Sequence, residues 1–342
     1  MAKQAGKSPF PSRLAKKNER TPAEKALRKR KRLKYIAVLP TAVTLLNAFC
    51  GFLSIVYASR GAGIFLEVFL FSKTGISFFA ASGYLIVFAM IADVLDGQVA
   101  RWSGTASDFG GQLDSLSDAI SFGAAPAFLM LKVMEAHFNL ETFIQKFFFP
   151  ISLWKIFPQA NPHLIQLAQR WLLFVAIFYA LCTIIRLARF NVENDTDLSR
   201  HQNFAGLPSP AAAGVVVSLI IFQEDFIPDI VDRLPEFTAL LTDVTSWLLP
   251  LAVLSSGILM VSRIRYPHVA NKLFRGKKNF FTVLLVLLTG FLAVWNIQLA
   301  IFLGFWGFAL FGIIRSIFTG IRALLRQKTP EKMFCPKTPE NS

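Results

Sequence analysis

DVLDGQVARWSGTASDFGGQLDSLSD, residues Asp93 to Asp118, is the stretch that decides how the chain is read. It begins at the end of one long apolar run, Ile76 to Ile91, and is followed by another, Ala119 to Met134, so four carboxylates stand between two membrane-helix candidates. Asp93 and Asp96 are three residues apart, Asp114 and Asp118 four, and on helices each pair shares a face. Two such pairs can converge. Carboxylates buried near lipid cost on the order of several kcal/mol each unless cations compensate them. Hard divalent cations such as Mg2+ or Mn2+ take oxygen ligands, so the stretch predicts a metal site.

The rest of the composition agrees with a membrane setting. Of 342 residues, 54% are hydrophobic and 17% charged, and the mean hydropathy of +0.50 excludes an ordinary soluble globule. The net charge of +15 comes from basic residues clustered in the N-terminal segment, in certain linkers and in the C-terminal tail. That is a topology signal and not a nucleic-acid signal, so membrane lipids and no nucleic acid are the expected surroundings. Cys50 and Cys182 lie inside apolar runs and Cys335 in the basic tail, which supports neither a disulfide framework nor a zinc site. The polar N-terminal segment is too long and too basic for an ordinary signal peptide, so the first apolar run is read as a retained anchor.

The apolar runs predict an all-α, polytopic membrane helix bundle of about eight transmembrane helices. They are Tyr35 to Ser59, Ile76 to Ile91, Asp114 to Met134, Trp171 to Ala188, Ala211 to Phe222, Thr245 to Val261, Phe280 to Trp295 and Ile297 to Ile314. The Phe-rich, Pro-interrupted stretch between His137 and Arg170 reads as interfacial, and QEDFIPDIVDRLPE as an acidic linker. Residues 1–34 read as a basic cytoplasmic tail, disordered or folded from Pro22 to Lys34 into a surface helix; 322–342 read as a second basic tail. Between them, 35–267 forms a catalytic domain of about six helices and 268–321 adds two more. The basic linkers place both termini and the Asp cluster on the cytoplasmic side, at the inner or plasma membrane if the source is bacterial. The four histidines form no cluster and receive no role.

Written as a pattern, the stretch is Asp93, two residues, Asp96, Gly97, two residues, Ala100, Arg101, eight residues, Gly110, three residues, Asp114, three residues, Asp118. This resembles the signature of the CDP-alcohol phosphatidyltransferase family without a departure. LLNAFCGF, LDSLSDAISFGAAPA, RLARFNV, GLPSPAAAG and LMVSRIRYP look like the family's phosphatidylserine synthase branch, over roughly Tyr35 to Pro267. The resemblance implies transfer of a phosphatidyl group from CDP-diacylglycerol to L-serine, with release of CMP, by a protein that is usually a homodimer. Glycerol phosphate, inositol phosphate or another alcohol is the nearest alternative acceptor. A UbiA-like prenyltransferase would place its acidic motifs on helices far apart in sequence, and a cation transporter has no use for Gly97, Ala100, Arg101 and Gly110.

Physics and resemblance agree on most roles. Asp93, Asp96 and Asp114 are the expected metal ligands, and two ions could hold the diphosphate and stabilise charge on the departing CMP. By carry-over from the motif, Asp118 contacts a metal and acts as general base on the acceptor hydroxyl. Gly97, Ala100 and Gly110 remove bulk where a nucleotide would lie, and the family assigns them to its cytidine end. Arg101 suits a phosphate or serves topology alone. Thr44 and Asn47, on one face of the first span, face the nucleotide or bond between helices. Arg186 and Arg189 take the serine carboxylate, or the lipid phosphate, or act only in topology.

Overall fold

The computed structural model describes residues 22–61, 63–66, 75–103, 108–137, 162–196, 206–231, 235–262, 264, 290–292 and 294–327. Helix α1 (Pro22–Ala58) leads into a two-stranded antiparallel ribbon, β1 (Ile64–Leu66) with β2 (Ile76–Ser77), and then α2 (Phe78–Ser103). Helix α3 (Asp108–Asp118) passes through a π turn (Ala119–Ala124) into α4 (Ala125–His137), and α5 (Pro162–Thr196) follows. Helix α6 (Ser209–Ile221) continues through a second π turn (Phe222–Phe226) into the short α7 (Ile227–Ile230). Helices α8 (Pro235–Val261) and α9 (Ile297–Gln327) complete the described bundle.

Among the described residues, seven helical segments are long and apolar enough to cross a membrane, and the chain is an integral membrane protein. They match the expected runs except Phe280 to Trp295, most of which lies outside the described residues. Several helices are longer than hydropathy alone suggested. Residues 22–34, for which a disordered tail and a surface helix were the two expectations, are helical and continuous with the first span. Residues 162–170, expected to be interfacial, form the start of α5.

The supposed acidic linker is the clearest correction. Its first half belongs to the second π turn and α7, with Gln223 5% and Asp225 1% exposed. Burial is possible because neighbouring helices supply donors: the Tyr84 hydroxyl donates to Asp225 at 2.6 Å, and His137 Nε2 lies 2.8 Å from the Glu224 carboxylate. A histidine that sequence left without a role therefore joins α4 to α6.

Helix α6 is the central post: 78% of its spanning window is buried, against 28% for the span in α5 and 17% for that in α9. Its small residues, Ala211 to Gly214, allow this, because membrane helices associate through close packing and not through water exclusion. Around it lie Phe79, Ile86, Phe122, Leu129, Met130, Tyr179 and Leu249, all fully buried. The chain enters α6 through Gly206, whose φ of +94° belongs to glycine. Gly206 and Leu207 donate their N–H groups to Ile264 and Leu259 at 2.9 and 3.0 Å, docking the GLPSP segment on the end of α8. That docking sets Ser209 at the first turn of α6, beside α5.

Candidate active site

Helix α2 carries Asp93 and Asp96 toward its end, and α3 carries Asp114 and Asp118 toward its own. The structure brings Asp93, Asp114 and Asp118 together, with one carboxylate oxygen of each within 4.8 Å of the others. Asp96 stands beside this threesome, 5% exposed, within hydrogen-bonding reach of the Thr44 side chain. Thr44 is also buried, its hydroxyl donating to Pro40 O at 3.0 Å.

The π turn follows Asp118 directly. The N–H of Ala125 reaches back five residues to Ile120 O, which widens the helix by one residue at this point. Ser121, Phe122 and Gly123 are thereby buried, and each meets another helix. The Ser121 hydroxyl donates to Asn47 O of α1 at 2.8 Å, and the Tyr179 hydroxyl of α5 donates to Phe122 O at 3.0 Å. Gly51, one turn beyond Asn47, lets α1 come this close, since a Cβ there would overlap Ser121. Asn47 then reaches Asp118 itself, its Nδ2 donating to Oδ1 at 3.0 Å.

Helix α5 closes the opposite side. Asn191 Nδ2 donates to Ser115 Oγ at 2.9 Å, tying α5 to α3 between the two aspartates. Arg186 donates from Nη1 to Ser209 Oγ at 2.5 Å, and its charge acts on both Asp118 and Asp93. One guanidinium could offset only one of the four carboxylates were all of them ionised. Asp96 Oδ2 and Asp114 Oδ1 are buried without a hydrogen-bond partner, each an uncompensated cost of ~1–3 kcal/mol or more. Clustered, under-satisfied, hard oxygen donors fit a divalent cation, whose charge and coordination would supply the missing partners.

The remaining expected site residues divide. Gly97 is half-buried, and a Cβ there would meet nothing within 4 Å, so the helix surface beside Asp96 is open. Gly110 and Arg189 are half-buried on α3 and α5. Ala100 and Arg101 are helical in α2, but their side chains lie outside the described residues. Ser115, Ser121, Tyr179 and Ser209 had no expected role. Nothing local marks them, because each makes its key bond to a different helix.

A bundle of membrane helices with a buried, cation-suited carboxylate cluster beside an open helix surface defines a class: integral membrane proteins with a candidate divalent-cation site among their helices. The particular family follows from comparison. A family model described as CDP-alcohol phosphatidyltransferase matches residues 37–256, and the chain belongs to this family. It is 28% identical over 290 residues to a CDP-diacylglycerol–serine O-phosphatidyltransferase of Helicobacter pylori, covering 85% of this chain and 95% of that one. A protein of the same name from Methanocaldococcus jannaschii is 33% identical over 190 residues, covering 56% of this chain and 65% of its own. One from Saccharomyces cerevisiae is 30% identical over 184 residues, covering 52% and 51%.

Proposed function

We propose that the protein transfers the phosphatidyl group of CDP-diacylglycerol to L-serine, giving phosphatidylserine and CMP. The serine Oγ–P bond forms, the P–O bond to CMP breaks with the bridging oxygen leaving on CMP, and the hydroxyl proton passes to Asp118. The observation that carries this reading is the convergence of Asp93, Asp114 and Asp118 within 4.8 Å, in a chain whose relatives bear the serine transferase name. Asp93, Asp96 and Asp114, with Asp118 contributing, would hold Mg2+ or Mn2+. Such ions supply electrostatic stabilisation of the diphosphate and of the leaving CMP.

The chain's own residues do the rest. The open surface at Gly97, with Ala100, Arg101, Gly110 and Thr44, receives the nucleotide end of the lipid. Asp118 takes the proton by proximity, as bond formation to phosphorus acidifies the hydroxyl. Arg186, held by Ser209 beside Asp118, binds the serine carboxylate, and Arg189 one turn further along α5 assists there or at the lipid phosphate. Basic residues at the termini and after α5 and α8 support a cytoplasmic site and cytoplasmic termini. Residues 35–267 would form the catalytic domain and 268–321 an addition between the basic tails, with the whole a homodimer as the family resemblance implies.

Purified protein given CDP-diacylglycerol and serine should release CMP, and chelator should stop it. Turnover with glycerol phosphate or inositol phosphate but not serine would overturn the acceptor; CMP release unaffected by chelator would overturn the metal.

A further inference from the structure

Asn47 is completely buried on α1, yet it is satisfied at one end only. Its Nδ2 donates to Asp118 Oδ1, across 71 residues of sequence, while its own Oδ1 is buried with no partner. An amide kept only to join two helices would be bonded at both ends or replaced by an apolar side chain, since half-satisfied polar groups pack worse than leucine. Ser54, two turns along the same helix, illustrates the purely structural form. It shares a 2.7 Å hydroxyl contact with Ser82, and the Ser82 hydroxyl donates to Ser54 O at 2.7 Å. Asn47 differs in that its single bond ends on the site.

The backbone around Asn47 is held just as specifically. Its carbonyl accepts the Ser121 hydroxyl from the π turn that begins after Asp118. Gly51 keeps that approach close. The Asn47 side chain and its backbone carbonyl are therefore both tied to the segment around Asp118, which sets the register between α1 and α3.

We propose that Asn47 is the positioning residue for Asp118. Its amide engages Oδ1, fixes the rotation of the group, and turns Oδ2 toward the acceptor hydroxyl and the ion that Asp118 would help to hold. This rests on the reading of Asp118 as the base, and it gives a purpose to the interhelical bond that was one of the two expectations for Asn47.

The experiment compares Asn47→Leu, Asn47→Asp, Asp118→Asn and the packing control Ser54→Ala, each purified and reconstituted. It measures kcat, KM for serine, KM for CDP-diacylglycerol and Mn2+ affinity. Both Asn47 variants should lose kcat by ~10²-fold, with either KM changing less than about threefold; the Mn2+ Kd should stay within that factor in Asn47→Leu, whereas the new carboxylate of Asn47→Asp, set beside Asp118, should if anything tighten it. Ser54→Ala should keep kcat within about twofold while lowering thermal stability. A loss confined to the KM for CDP-diacylglycerol would overturn the proposal in favour of nucleotide contact. Loss of Mn2+ binding in parallel with kcat would overturn it in favour of a role in holding the ion. Should Asn47→Leu not fold, the near-isosteric Asn47→Asp decides. An active Asp118→Asn would overturn the base reading itself, whereas an inactive Asp118→Asn beside a fully active Asn47→Asp would overturn only the positioning role.

Discussion

Gln298 donates from Nε2 to Asp225 Oδ2 at 3.0 Å, on the same oxygen that accepts the Tyr84 hydroxyl. This bond fastens α9, which lies beyond the residues matched by the family model, to the central helix and to α2. Phe302 of α9 stacks on Phe222 alongside it, with ring centroids 4.8 Å apart. Tyr84 precedes Asp93 by nine residues on α2, roughly 13–14 Å along the helix, so the bond is remote from the carboxylate cluster. Gln298→Leu should lower stability by ~1 kcal/mol and leave phosphatidyl transfer within about twofold. Thermal unfolding in detergent and a turnover assay check both halves; lost turnover at unchanged stability would mean that α9 acts on the site.

Replacing Asp118 by Asn keeps its shape but removes the carboxylate proposed as proton acceptor. Turnover should fall by ~10²–10⁴-fold, while CDP-diacylglycerol and Mn2+ still bind. Single-turnover kinetics with equilibrium binding separate the two effects, and high residual activity would refute the assignment.

Asp93→Ala and Asp114→Ala each take a carboxylate from the group that converges within 4.8 Å. Each should weaken Mn2+ binding and reduce turnover by ~10²–10³-fold, with added Mn2+ recovering part of the loss. Calorimetric titration of the ion checks the first effect independently of catalysis.

Gly51→Ala drives a methyl into Ser121, including its Cα at 2.7 Å, which no rotamer change can move aside. Helix α1 must shift outward, carrying Asn47 with it. A stability loss of ~1–3 kcal/mol and a fall in kcat are expected together, seen by thermal unfolding and steady-state kinetics.

Arg186→Ala removes a guanidinium that Ser209 holds beside Asp118 and Asp93. The KM for serine should rise at least ~10-fold, with that for CDP-diacylglycerol nearly unchanged. Arg189→Ala, one turn away, should give a smaller shift in the same constant. An effect on the lipid constant alone would move either arginine to the phosphate.

The membrane bundle and the carboxylate cluster were legible in the sequence because both depend on residue type at short spacing. Apolar runs announce spanning helices, and three- and four-residue intervals put acids on one helical face. Where the reading failed, the deciding contact joined distant segments. QEDFIPDIVDRLPE looks like a solvated linker until Tyr84, His137 and Gln298 are seen around its acids. For Asn47 the sequence left open a nucleotide contact or a bond between helices, and only the π turn that presents Asp118 to it shows which partner the interhelical bond reaches.

The sequence by itself determined that this chain lives in a membrane and carries the spaced acids of the CDP-alcohol phosphatidyltransferase pattern, since hydropathy and motif spacing are properties of residues along the chain. Only the tertiary structure decided which oxygen of Asp118 is engaged, which helix holds Arg186, and that α6 stands at the centre. The physical reason is that those facts depend on packing: a one-residue widening of a helix after Asp118 and a missing side chain at Gly51 set the register between α1 and α3. No local pattern of residue types encodes that register.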